Sequence, residues 1–196
     1  MVGVMLDVVE ETTKRILVSK LSEVNDDFSR ITHILFTFPM KINLGNDVIL
    51  DVETTGFMPG RASLVTVGMF VGDSIKIFQR VSTDTPSFSR FMNTYISELV
   101  KGGKNLWAFN SAFEKRWIDA PFNEIWPYKI SKDTCIRLEH FGFGVGEDIP
   151  NWWHLFLAKK ERETRIEHLA NIVKHNFNCI VKETAIWMSQ EKAFRA

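Results

Sequence analysis

Two carboxylates stand two residues apart in the apolar segment Val48-Ile49-Leu50-Asp51-Val52-Glu53. In an extended chain that spacing sends the side chains of Asp51 and Glu53 to the same face. Unpaired charges buried in a strand are costly. A metal, nearby bases or an open strand end must therefore neutralise the pair. Thr54-Thr55-Gly56 ends the strand directly after the acids. That placement favours an open site where oxygen ligands hold hard divalent cations such as Mg²⁺ or Mn²⁺.

Other residue groups invite chemistry with weaker patterns. Trp152, Trp153 and His154, followed by Lys159, Lys160, Arg162 and Arg165, offer rings for stacking bases and cations for phosphates. The same residues also suit an aromatic plug under a loop, followed by a solvated charge run. Cys135 and Cys179 belong to no CxxC pair, so a zinc framework or disulfide has little support and both are expected as reduced thiols.

The run Asp51, Glu53, Thr54 and Gly56 matches Asp-x-Glu-Thr-x-Gly and resembles the first motif of the DEDD 3′-5′ exonuclease superfamily, which has a ribonuclease H-like fold. The second motif of that superfamily is an apolar strand ending in Asn, followed by a helix bearing Phe and an acid. Leu106 to Lys115 is similar to it, with Asn110, Phe113 and, in place of the usual Asp, Glu114. Some ribonuclease H-like domains associated with RecB-type nucleases also carry Glu there. Taken alone, Glu114 is equally a helix-start acid favoured by the dipole. The third motif of the tyrosine-type subgroup, Tyr-Asn-x-x-Asp, is met only by His175-Asn176-Phe177-Asn178-Cys179. Its acid is missing. Direct alignment puts His175 at the Tyr position and Cys179 at the Asp position; a shift of one residue makes Asn178 the substitute. Glu183, one helical turn beyond Cys179, is a third candidate.

The resemblance implies metal-dependent hydrolysis of DNA or RNA phosphodiesters from the 3′ end, with two Mg²⁺ or Mn²⁺ ions roughly 3.5–4 Å apart. It implies that Asp51 bridges the ions, Glu53 holds the water-activating one, Glu114 supports the second and His175 orients the water. Thr54, Thr55, Asn110 and Phe113 would contact substrate, with Trp152 and Trp153 as further candidates. The expected partner is single-stranded nucleic acid. The rival expectation is a catalytically silent nucleic-acid-binding or protein-interaction module on the same fold.

These residues need a scaffold, and 196 residues with 45% apolar and 12% aromatic content suffice for one buried core. Lys plus Arg equals Asp plus Glu at 24 each, so nucleic acid must be met by a local patch. Alternation and turn residues predict strands over 34–38, 48–53, 63–71, 74–81, 105–109 and 129–136. Helices are expected over 87–101, 111–119 and about 165–188, with 141–160 irregular. Leu6, Val9, Thr13, Ile16, Leu17, Leu21, Val24 and Phe28 predict an N-terminal amphipathic helix. That helix needs a partner surface, on this domain, another protein or a second copy. The sum is an α/β protein: a ribonuclease H-like mixed sheet flanked by helices over 47–196, preceded by a helix-and-strand extension over 1–46.

On the last helix, Ile166, Leu169, Ala170, Val173, Phe177, Ile180, Val181, Thr184 and Trp187 form one apolar stripe. Asn176, Cys179 and Glu183 share one flank; Lys174, Asn178 and Lys182 share the other. Asp133 is read as structural. No apolar run is long enough to span a bilayer, and Asp7, Glu10 and Glu11 stand where a signal peptide would be basic and then apolar, so no membrane association and a cytoplasmic location are expected.

Overall fold

The computed structural model describes residues 31–125 and 149–195. Six strands, β1 (His33–Pro39), β2 (Asp47–Thr54), β3 (Leu64–Val71), β4 (Ser74–Arg80), β5 (Asn105–Ala108) and β6 (Phe122–Glu124), form one sheet in the order β1-β4-β3-β2-β5-β6. The first four are joined antiparallel, and β5 and β6 are added parallel to β2. Central β3 is buried on both faces from Leu64 to Phe70, which explains why its sequence is a nearly unbroken apolar run.

Each face has its own core. On one, Val48, Leu50, Val52, Val67, Met69 and Phe78 pack on Phe88, Met92 and Ile96 of α1 (Thr85–Lys101). Helix α1 starts where the Asp84 carboxylate accepts a hydrogen bond from Ser87 N at 3.0 Å, with Pro86 in the first turn, and it stops at Gly102 and Gly103. On the other face, Ile49, Val65, Phe70, Ile75 and Ile77 meet α3 (Ile149–Ala158) and α4 (Arg162–Arg195). Strand alternation thus puts Asp51 and Glu53, in phase with Ile49, on the side covered by α4.

The strand of the N-terminal extension pairs with β4 along its whole length, so it is an edge of the same sheet and the turn at Gly45 links two strands of that sheet. Two expectations are corrected. Residues 149–158, expected to be irregular, are helix α3: Pro150 falls in the first turn, where its missing N–H is harmless, and Ile149, Trp153 and Phe156 fall on one buried face. The helix expected over 111–119 is a single turn, α2 (Ser111–Glu114), continued by turns to Ile118 before Pro121 and the short strand β6. Helix α4 extends beyond its expected limits at both ends. The N-terminal helix, Asp133, Cys135 and the strand expected over 129–136 lie outside the described residues.

Candidate functional site

Gly68 lies opposite Asp51 in the β2–β3 register. A Cβ there would overlap Oδ1 of Asn176 and stand 2.9 Å from its Cγ and 3.0 Å from Cγ1 of Ile180. The glycine thus lets α4 lie directly on the sheet. Asn176, fully buried, donates from Nδ2 to Oδ2 of Asp51 at 2.7 Å. One residue earlier on the helix, His175 Nε2 is 2.9 Å from Oε1 of Glu53, and Cys179 Sγ is 3.5 Å from the same nitrogen.

A cavity of about 290 Å³ opens between the end of β2, α2 and α4, lined by Asp51, Val52, Glu53, Phe109, Asn110, Phe113, Glu114, His175, Cys179, Lys182 and Glu183. Glu114 arrives from α2, whose first turn is held by Glu124 Oε2 accepting from Ser111 N at 3.0 Å. Glu183 arrives from α4 and takes a hydrogen bond from the backbone of Phe109. Both are almost fully buried, and each has one carboxylate oxygen, Oε2, with no hydrogen-bond partner.

Such a cluster strongly resists ionisation on its own. Burial, followed by the charges of Glu53, Glu183 and Glu114, pushes the Asp51 carboxyl well above the usual range. Glu183 is raised by burial and then by Glu114 and Glu53. Glu114 is pushed up to about 8, by burial first and then by Glu124 and Glu53. Burial and the same acids raise the Cys179 thiol, against a small opposing pull from Lys182. Buried carboxylates with orphaned oxygens, crowded on one cavity, are the donor set a hard divalent cation would neutralise.

The third-motif candidates separate clearly. Cys179 lines the cavity together with His175, whereas Asn178, half-buried, is not part of its wall. Glu183 does reach the acids. Lys182, expected on the opposite flank, also lines the cavity, because His175 and Lys182 are seven residues apart and so nearly superpose along the helix.

Asn110 and Phe113 line the wall, but Thr54 and Thr55 do not. Thr54 Oγ1 donates to Gly56 O at 2.7 Å and Thr55 Oγ1 accepts from Ser63 N at 2.8 Å, so both hydroxyls shape the turn after β2. Base stacking on Trp153 is ruled out by its burial: its ring lies against Phe156 and beneath the Arg80 guanidinium, 4.4 Å from the centroid. Trp152 is half-buried against the same core. Sequence reasoning missed Gly68 and the Asn176–Asp51 bond. The small residue in register with the first acid was the one available signal.

Sheet order, strand directions and flanking helices define a ribonuclease H-like α/β fold. A family model described as RNase_H superfamily matches residues 48–142, which carry β2 to β6, three of the four clustered acids and just under half of the chain. No curated protein matches the chain. Among the described residues, no helix is long and apolar enough to cross a membrane.

Proposed function

We propose that this protein is a metal-dependent phosphodiesterase of the DEDD 3′-5′ exonuclease type, acting on single-stranded DNA or RNA, with Glu183 in the part of the missing third-motif acid. The observation that carries the reading is the fourth carboxylate. Glu183 lines the same cavity as Asp51, Glu53 and Glu114, and one of its carboxylate oxygens has no hydrogen-bond partner.

Asp51, Glu53, Glu114 and Glu183 would hold a pair of Mg²⁺ or Mn²⁺ ions. When bound, such ions lower the pKa of water and offset the charge on the leaving oxygen. The residues of the chain supply the rest. Asn176 fixes the Asp51 carboxylate by its 2.7 Å bond. His175, whose Nε2 stands 2.9 Å from Glu53 Oε1, would exchange that contact for the attacking water once a metal engages Glu53, and so orient the water and take its proton. The Lys182 ammonium at the cavity wall adds positive charge for a phosphate, and the rings of Phe109 and Phe113 provide apolar surface for sugar or base.

The test is degradation of end-labelled single-stranded DNA and RNA with Mg²⁺ or Mn²⁺, comparing wild type with an Asp51→Ala, Glu53→Ala double variant. The expected result is a ladder shortening from the 3′ end that disappears in the double variant. Intact strands from both proteins with both ions, or equal degradation by both, would overturn the reading in favour of a silent module.

A further inference from the structure

The nitrogen and sulfur donors beside the four carboxylates suit a different kind of ion. We infer that Glu53, His175 and Cys179 form a binding site for a borderline transition-metal ion, best matched by Zn²⁺, which competes with the hard cations of the cleft. One donor atom from each residue lies within 4.8 Å of the others, with His175 Nε2 at 2.9 Å from Glu53 Oε1 and 3.5 Å from Cys179 Sγ. Tetrahedral zinc, with bonds of about 2.0–2.3 Å, places its donors roughly 3.2–3.7 Å apart. The sulfur–nitrogen pair already meets that spacing. The nitrogen–oxygen pair, now close enough to hydrogen-bond, has to open by only a few tenths of an ångström.

The donor chemistry excludes the hard ions from this arrangement. Thiolate and imidazole suit Zn²⁺, whereas Mg²⁺ demands near-octahedral oxygen. His175 and Cys179 are four apart on α4, so the helix fixes their separation before any metal arrives. A second observation points to the same ion. Glu183, one turn beyond Cys179 and only 4% exposed, lines the same cavity and has Oε2 without a hydrogen bond, an unsatisfied oxygen that a bound cation or its water would engage. On binding, the Cys179 S–H bond breaks, a sulfur–metal bond forms and one proton leaves to solvent. Thiolate and the Glu53 carboxylate then balance the dication.

The consequence for activity rests on the hydrolytic reading above. Zinc here engages Glu53 and His175, which that reading assigns to the attacking water, so it closes the cleft to the Mg²⁺ or Mn²⁺ pair. The binding itself does not depend on that reading. The experiment loads the full chain with Co²⁺ and then displaces it with Zn²⁺. Absorption follows the thiolate-to-cobalt charge-transfer band and the visible bands of tetrahedral cobalt, and Zn²⁺ affinity is measured against a chromophoric chelator. Wild type shows both sets of bands, and Zn²⁺ erases them. Cys179→Ser, a nearly isosteric change, loses the charge-transfer band, and both it and His175→Gln lose more Zn²⁺ affinity than the roughly 10–100-fold typical of a missing outer-shell partner. The inference fails if wild type shows no charge-transfer band with saturating Co²⁺, or if Cys179→Ser keeps it. Thiolate bands in a protein that degrades no strand leave the metal site standing and remove only the nuclease reading; strand degradation without the bands does the reverse.

Discussion

Replacing Gly68 with alanine tests how α4 is seated over the acids. The new methyl would overlap Asn176 Oδ1 and press on Asn176 Cγ and Ile180 Cγ1, both within about 3 Å. Asn176 is fully buried and tied to Asp51, so it has no open space to retreat into. Overpacking together with loss of the Asn176–Asp51 hydrogen bond predicts a destabilisation of roughly 2–4 kcal/mol. Asn176→Ala alone leaves Asp51 without its amide donor and opens a small void, at about 1–3 kcal/mol. The diagnostic quantity is the double variant. Once the amide is gone, the Gly68 methyl fills the void, so Gly68→Ala in the Asn176→Ala background should cost less than about 1 kcal/mol, a coupling well above the ~0.5 kcal/mol scatter of independent sites. Urea denaturation of the four proteins, followed by tryptophan fluorescence, measures the cycle. Equal cost of Gly68→Ala in both backgrounds would refute the proposed packing of helix on strand.

Glu114 titrates at about 8 in the folded chain against an ordinary value of 4.5, so between these pH values the folded state keeps a proton that the unfolded state has released. In chelator, stability should therefore be fullest below about pH 4.5 and fall by about 1.4 kcal/mol per pH unit from this group alone up to about pH 8; Glu114→Gln should flatten the slope, and a rise with pH in wild type would contradict the account. Glu183→Gln should cut strand degradation at least about 100-fold, while Cys179→Asp, adding charge beside three acids, should not exceed wild type; an active Glu183→Gln protein would show that the fourth acid is dispensable. Arg80 is 1% exposed, with Nε and Nη2 unpartnered and its pKa lowered to about 10 by burial. Arg80→Met should hold stability within about 1 kcal/mol of wild type or raise it, and a loss beyond about 3 kcal/mol in thermal melts would show that the stacking of Arg80 on Trp153 outweighs its desolvation.

Local periodicity made much of the scaffold legible. The alternation of β2 is a property of the backbone, so the common face of Asp51 and Glu53 followed from spacing alone. The helix expected over 87–101 is α1 (Thr85–Lys101), and Asp84, Pro86 and the Gly102-Gly103 pair at its ends act through capping and turn preferences that reach only a few residues. Shorter elements escaped. Three-residue β6 was not foreseen and α2 was expected over 111–119, about twice its length; both owe their conformation to neighbours, since β6 pairs with β5 and Glu124 caps α2.

The sequence by itself determined which residues share a strand face or a helix stripe: Asp51 with Glu53, and Cys179 with Asn176 and Glu183. Only the tertiary structure decided which of those stripes meets the acids. Helical periodicity sets angles about the helix's own axis and carries no information on what the helix is laid against. That choice was made by packing, where Gly68 leaves no side chain between β3 and α4 and so admits Asn176 to Asp51. Once Asn176 is seated, the fixed turn of the helix carries His175, Cys179, Lys182 and Glu183 to the same cavity and turns Asn178 away from it. The fate of Trp153 was settled in the same way, because whether an aromatic ring stacks bases or fills a core depends on the surface it meets, and here that surface is Phe156 and the buried face of Arg80.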